Sequence, residues 1–591
     1  MRLQATQVKT DPTTHRLRRL GLVLAAAGFI STLFFSPAFA LQDRQADLVI
    51  TGANVVTMDD ARPTAQGIAI KDGRILAIGS DQKVSQHAGA GTEVLNLNGQ
   101  FVMPGFIEGH AHFVGLGESQ MMLKLNDAVT WEDIVQQVEA AAETVPAGQW
   151  IVGRGWHQSK WATPPSSNVD GYPMTGSLSS VSQNNPVLLT HASGHMCLAN
   201  DYAMRLAGIK DDTANPEGGE ILRDANGKAV GGFRETAAGL ITKAYEADQA
   251  KLTPAQRSAG EVRAIELASE ECLRYGITSF QDAGSSFETV DLLKKAAIKG
   301  QLGVRLWVMI RDQNDRLESM LPRYKMIGFA NDFLTVRAVK RSIDGALGPH
   351  GAWLLQPYSD LPTSSGLNTA TVQSVRKTAE IAIKNDFQVC VHAIGDRANR
   401  EVLDIYEDLF EKHSSNLPRR WRIEHAQHLH VDDIARFGKL GVIASMQAVH
   451  CTSDAVFVPK RLGMRRSKEG AYVWKSLIDT GAIVTNGTDA PVESIDPFAS
   501  FYASVTRRLN DSVTFFPEQK MTRMQALKSY TIDCAYSAFE ESTKGSLVPG
   551  KLADIVVLSN DLLKCEENKI RETKVLYTIV AGEIAYKAES K

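Results

Sequence analysis

No C-x-x-C pair occurs in the sequence, and its six cysteines (Cys197, Cys272, Cys390, Cys451, Cys534 and Cys565) are scattered through 591 residues. That excludes a disulfide framework. It makes most of them small buried hydrophobes, with a single disulfide left open. Charge imbalance is also missing. The 64 basic and 67 acidic residues leave a net charge of -3, so no global field recruits nucleic acid or an acidic membrane. Apolar runs long enough to approach a membrane span are confined to the first forty residues. With 43% of residues hydrophobic and 22% charged, the remainder is ordinary globular sequence. Its length allows two or more domains, or one large barrel with additions.

The first forty residues read as a targeting segment. Arg16, Arg18 and Arg19 form a basic front, Leu20 to Phe35 is apolar apart from small residues, and Ala38-Phe39-Ala40 is a small-x-small cleavage signal. The apolar run is shorter than the roughly 20 residues of a spanning helix. The expectation is a signal peptide over 1–40, cleaved after Ala40, and a periplasmic or secreted mature protein with no membrane segment. An uncleaved anchor is the alternative. Arg18-Arg19 hints at twin-arginine export, but the residues after it match that signal poorly.

Beyond the leader, both ends of the chain read as short strands. Leu48–Ile50, Val55–Val56, Gly67–Ile70, Arg74–Ile78, Val94–Leu97 and Phe101–Val102 fall at the front, with Asp72-Gly73 as a hairpin turn. Ile555–Leu558, Val575–Val580 and Glu583–Tyr586 fall at the back. The two ends are expected to pair into one unit over 45–104 and 541–588. An insertion is expected over about 118–270, with Gly218-Gly219 and Gly231-Gly232 among turns, and Pro254 to Tyr275 as a helix between Thr253 and Gly276.

From there strands and helices alternate. Strand candidates are 101–108, 277–281, 304–310, 334–343, 388–392, 422–425, 442–446 and 482–485. Helical patterns at 288–299, 371–384, 397–410, 431–440 and 471–480 separate most of them. Eight βα units are the pattern of an α/β TIM barrel, here over 105–540. That fold carries its chemistry at the C-terminal ends of its strands.

The chemistry-bearing residues fall there. In Phe101-Val-Met-Pro-Gly-Phe-Ile-Glu-Gly-His-Ala-His112, His110 and His112 stand two residues apart, so on a strand both imidazoles point to one side. His392 ends the fifth strand and His425 the sixth, Asp489 follows the eighth, and Lys340 lies within the fourth. Each alone reads as a hydrogen-bonded structural group or a turn. Together, four imidazoles and a carboxylate at barrel-strand ends point to a divalent metal site.

These residues carry a resemblance. The chain resembles the amidohydrolase superfamily of metal-dependent hydrolases, and within it the branch that includes N-substituted formamide deformylases. The matching pieces are Pro104–Ile107 before His110-Ala-His112, Gly155-Trp-His-Gln158, Val339–Gly348, His392–Asp396, Ile423–Gln427, Ser445-Met-Gln447, Gly487–Val492 and Gly550–Asp554. The resemblance implies a (β/α)8 barrel with a small β-sandwich built from both chain ends. It implies His110, His112, His392, His425 and Asp489 as metal ligands, and one or two divalent metals, zinc by expectation. With two metals, Lys340 would bridge them as a carbamate; otherwise it is a barrel-interior lysine paired with Asp344 or another acid. Two departures stand out: the usual Asp-Ser before the His-x-His is Glu108-Gly109, and the usual Ser before the aspartate is Thr488.

The expected reaction is hydrolysis of an amide-like C–N bond of N-formyl, N-acyl or carbamate type. Metal-activated hydroxide attacks the carbonyl, and Asp489 is both ligand and proton shuttle. His195, in His191-Ala-Ser-Gly-His195, is expected to bind substrate or stabilise the oxyanion, and Glu235 sits in a second such motif. Glu424 and Gln427 flank His425 and are read as its orienting groups. His157, His350, His413, His428, His430 and His450 have no evident task. An esterase or lactonase would use the same site, and a non-catalytic exported binding or regulatory protein would keep the fold. The expected partner is a small-molecule substrate; dimerisation is a family habit only.

Overall fold

The computed structural model describes residues 45–589, apart from 126, 157, 159–160, 192–195, 217–218, 349, 414–417 and 511. The leader therefore lies outside the described residues, and so do His157 and His195.

Eight parallel strands run in sequential order around a barrel. We label them β1 (Phe106–Ala111), β2 (Ile277–Ser285), β3 (Arg305–Ile310), β4 (Leu334–Ser342), β5 (Gln388–Ala393), β6 (Arg422–His425), β7 (Ile443–Met446) and β8 (Val484–Asn486). This is the α/β (β/α)8 fold. Both faces of these strands are buried, which is why they do not read as a clean apolar–polar alternation. Just beyond the strand ends, β8 meets β1: Asp489 N donates to the His110 carbonyl at 2.7 Å and His112 N to the Ala490 carbonyl at 2.8 Å.

The apolar run at 101–108, read as one strand, is two. The backbone breaks at Pro104-Gly105, where a Cβ on Gly105 would lie 2.2 Å from the Thr278 side chain. Phe101–Pro104 pairs antiparallel with Ile555–Leu558 in a six-stranded sheet, and only Phe106–Ala111 enters the barrel. A second, four-stranded sheet is built around Leu48–Thr51 and Gly67–Lys71. The Asp72-Gly73 hairpin forms with φ of 49° and 73°, as a type I′ turn requires. Leu48, Ile68 and Ile70 of one sheet share a single core with Val102, Ile555 and Ile579 of the other. The two chain ends thus form one apolar unit. Arg305 on β3 and Asp554 at its edge make a two-pronged buried ion pair of 2.7 and 3.0 Å.

Between β1 and β2 lies a separate six-stranded sheet, with its own buried clusters around Trp156 and Phe233. Trp156 is packing: it is fully buried, and its indole N–H donates to the Leu189 carbonyl at 2.9 Å. The glycines expected in turns are instead in strands. Gly219 opens Gly219–Arg223, and Gly231 and Gly232 lie within Ala229–Glu235, where a Cβ on Gly231 would collide with Thr175. Close packing selects glycine there and, at Gly231, so does a positive φ of 86° within the strand. The helix Pro254–Arg274 has the capping box Thr253/Gln256 and ends at Gly276 with φ of 75°. All six cysteines are free and five of them are buried.

Candidate metal centre

The alternation of β1 points Glu108 and His110 inward, and His112 follows at the strand end. A cavity of about 590 Å³ opens at the C-terminal mouth of the barrel, and His110, His112, Lys340, His392, His425 and Asp489 all line it. Ligand atoms of His110, His112 and Asp489 lie within 4.8 Å of one another. Asp489 Oδ1 stands 3.2 Å from His112 Nε2 and 3.6 Å from His110 Nε2, and Lys340 Nζ is 3.4 Å from the latter. The His392 and His425 rings are 4.4 Å apart between centroids, and those of His110 and His425 4.7 Å.

The imidazoles are oriented from behind. His110 Nδ1 pairs with the Glu424 carboxylate, which leaves Nε2 as a lone pair facing the cavity. Glu424 is itself gripped by Arg422 at 2.6 and 2.8 Å, and Arg422 also reaches Ser445 Oγ at 2.6 Å. Burial alone would raise Glu424, but Arg422 and His110 hold it well below the usual carboxylate range. His425 Nδ1 is 2.7 Å from Gln447 Oε1. The expected assignment of orienting groups is thereby corrected. Glu424 serves His110, Gln447 serves His425, and Gln427 turns to His450, with its amide nitrogen 3.1 Å from Nδ1. Side chains alternate along β6, so Glu424 and His425 cannot share a target.

The electrostatics suit a cation. Burial, followed by the Lys340 charge, pushes His110 down to about 4 and His392 to about 3; burial and the neighbouring imidazoles push His425 well down. All three rings are therefore neutral ligands at ordinary pH. Burial would raise Asp489, but the His112 hydrogen bond and the surrounding imidazoles outweigh it, so the carboxylate stays ionised. Burial and the Arg311 charge push the Lys340 amine down, against Glu424 and Asp489. Lys340 does not pair with Asp344. That carboxylate accepts the backbone N–H groups of Trp353, Ile394 and Gly395 at 2.8–3.0 Å and lies 3.6 Å from His392 Nε2. His392 Nε2 is buried without a hydrogen-bond partner among the described residues, and Asp489 Oδ1 has only the His112 ring nitrogen, at 3.2 Å. Buried polar atoms need partners, and a divalent ion supplies one to both. His425 and Asp489 also hold φ of 74° and 59°, a left-handed backbone that non-glycine residues adopt at a cost and that clusters at functional sites.

His450 is the site residue that sequence reading passed over. It sits four residues past the end of β7 and lines the cavity. The barrel rule applied to Met446–His450 was the available signal. Among the other histidines, His430 caps Val431–Leu440 and His350 pairs with Asp360. Glu235 closes its strand.

A sequence profile of the amidohydrolase family matches residues 93–586. The chain belongs to the amidohydrolase family. It is 32% identical over 559 residues to Protein LONG AFTER FAR-RED 3 of Arabidopsis thaliana, with 92% of each chain covered. It is 29% identical to the N-substituted formamide deformylase of Arthrobacter pascens, over 91% of this chain and 98% of that one. Among solved structures, a metal-dependent hydrolase of Pyrococcus furiosus superposes with a TM-score of 0.70 at 27% identity, covering 88% of this chain and all of the other. In this amidohydrolase the donor set described above suits a divalent metal.

Proposed function

We propose that this amidohydrolase is an exported hydrolase of an amide-like C–N bond of N-formyl, N-acyl or carbamate type. The observation that carries the reading is the convergence of four imidazoles (three of them, His110, His392 and His425, held neutral by burial), a lysine and an ionised carboxylate on one cavity of about 590 Å³. His110, His112 and Asp489 would hold one divalent ion, zinc by ligand type; His392 and His425 would hold a second if Lys340 is carboxylated. Such an ion supplies Lewis acidity and lowers the pKa of water from about 15.7 to about 7.

The chain's own groups do the rest. Glu424 and Gln447 fix the ring orientations of His110 and His425. Asp489, ionised and beside His112, takes a proton from the attacking water and passes it to the departing nitrogen. Burial of the Lys340 amine favours the neutral form that carbamate formation needs. His195 would contact substrate from the segment between β1 and β2. Export rests on the leader sequence, with cleavage after Ala40, and a homodimer on family habit.

The test is metal stoichiometry on the mature protein, together with intact mass for a carbon dioxide adduct on Lys340 and turnover of N-formyl, N-acyl, carbamate and ester substrates. Two metals with amide turnover are expected. Ester turnover alone would establish the esterase reading. Metal-free protein after reconstitution would establish the binding-protein reading.

A further inference from the structure

One histidine of the cavity lies outside the ligand set described above. His450, in the helix Ala448–Asp454, is 7% exposed. Its Nδ1 faces the side-chain amide nitrogen of Gln427 at 3.1 Å. An amide nitrogen can only donate, so Nδ1 accepts. A neutral imidazole whose Nδ1 accepts carries its proton on Nε2. That Nε2 is buried and has no hydrogen-bond partner among the described residues, on a side chain that lines the cavity.

His425 beside it shows the opposite arrangement. The amide nitrogen of Gln447 is committed to the Ser445 carbonyl at 3.2 Å, so its oxygen faces His425 and Nδ1 of that ring donates. The two rings lie 10° from parallel, with centroids 6.3 Å apart. Two glutamines thus set two adjacent imidazoles in opposite tautomers. His425 turns a lone pair toward the cavity; His450 turns an N–H.

We propose that His450 Nε2–H donates a hydrogen bond to the carbonyl oxygen of the substrate and stabilises the negative charge that develops there during attack. The assignment rests on the hydrolase reading above. It makes His450 a fixed donor rather than a proton carrier. His450 Nδ1 already accepts from the Gln427 amide, so releasing the Nε2 proton would leave an imidazolate. A preorganised donor in a water-poor site is the arrangement that stabilises an oxyanion without proton transfer. Asp489, which lines the same cavity, remains the group that moves protons.

The experiment compares wild type, His450→Ala and His450→Gln on an amide and a p-nitrophenyl ester that share one acyl group, with metal content measured on each protein. In His450→Ala, kcat is expected to fall about 10²–10³-fold. The fall is expected to be alike for amide and ester, because both pass through the same oxyanion, with KM little changed and metal content intact. His450→Gln keeps an N–H donor and is expected to recover part of the loss. A wild-type kcat in His450→Ala would overturn the proposal. So would a loss confined to the amide, which means protonation of the leaving group, or a loss that follows lost metal, which means a ligand role. A wild type inactive on both substrates defeats the hydrolase reading instead. The ¹⁵N spectrum of histidine-labelled protein then decides for His450 alone: an Nε2–H tautomer supports the donor and an Nδ1–H tautomer overturns it.

Discussion

The carboxyl group of Glu108 ties Thr488 to the first barrel strand: Oε1 accepts the Thr488 backbone N–H at 2.7 Å, and Oε2 lies 3.2 Å from Thr488 Oγ1. Glu108 and Thr488, one residue from each of the two departures noted in the sequence, are therefore in contact. Gly487 makes the approach possible, since a Cβ there would stand 2.4 Å from Glu108 Oε1 and 2.6 Å from His110 N. The longer acid spans from β1 to the β8 loop, and the next residue along that loop is Asp489. This contact sets where Asp489 stands. Glu108→Ala leaves the buried Thr488 N–H unpartnered and is expected to cost about 1–3 kcal/mol. Thr488→Ala should cost less alone, and the double variant less than the two together. Urea denaturation of the four proteins gives the coupling, and strictly additive costs would show the contact to be energetically idle.

Asp489→Asn keeps the shape of the side chain and removes its charge. The expectation is a loss of turnover of at least about 10²–10⁴-fold, the range of a positioned acid–base group. The far-ultraviolet spectrum and melting temperature should stay near wild type. Wild-type turnover by this variant would remove Asp489 from the proton path.

Much of this arrangement was legible in the chain, and the exceptions have physical causes. The helix Val431–Leu440 and the strand Arg422–His425 fall where periodicity puts them, because their amphipathic or apolar patterns are local. The ligand candidates were legible because barrel strands deliver chemistry at one end. Pairings across the barrel were not. Glu424 stands next to His425 in sequence but points at His110, a partner 314 residues away that only the closed sheet brings near. Gly231 looked like a turn because its positive φ of 86° and its close approach to Thr175 leave the same mark in sequence inside a strand as in a turn. His450 was passed over because its task depends on Gln427, a residue from another strand end.

The buried pair of Arg305 and Asp554 links the barrel to the loop that leads into the strand Ile555–Leu558. Both carboxylate oxygens are used by Arg305, and Oδ1 also accepts the Ala581 N–H at 3.0 Å. Asp554→Ala would leave a guanidinium buried without its counter-charge, and a loss of about 3–5 kcal/mol is expected. Arg305→Met combined with Asp554→Leu should be much less harmful than either change alone. Melting temperatures decide it. A double variant as unstable as the sum of the singles would mean that the damage comes from packing and not from the unpaired charge.

Removing the metal should cost both activity and stability. Dialysis against a chelator is expected to abolish turnover and lower the melting temperature, because an ion bound only by the folded chain stabilises it in proportion to the logarithm of its concentration over Kd. Adding back zinc, manganese or iron singly should restore both to different extents and so rank the native ion. Full activity after verified metal removal would undo the proposed chemistry.

A second acid, away from the cavity, gives the fold a pH dependence of its own. Asp533 lies in the first turn of the helix Ile532–Ser537, and burial pushes its carboxyl up to about 6 against the pull of Lys528. A folded value above the unfolded one, about 3.9, means that the folded state binds the proton more tightly. Its contribution is therefore most favourable below pH 4, and it is lost as the pH rises from about 4 to about 6. Above that the ionised carboxylate disfavours the fold by at most about 3 kcal/mol. Asp533→Asn has no proton to lose. The variant should melt no higher than wild type at pH 4 and measurably higher at pH 8, with the difference appearing between pH 4 and 6. A difference independent of pH would mean that the substitution acts through shape, and that burial does not raise this carboxyl.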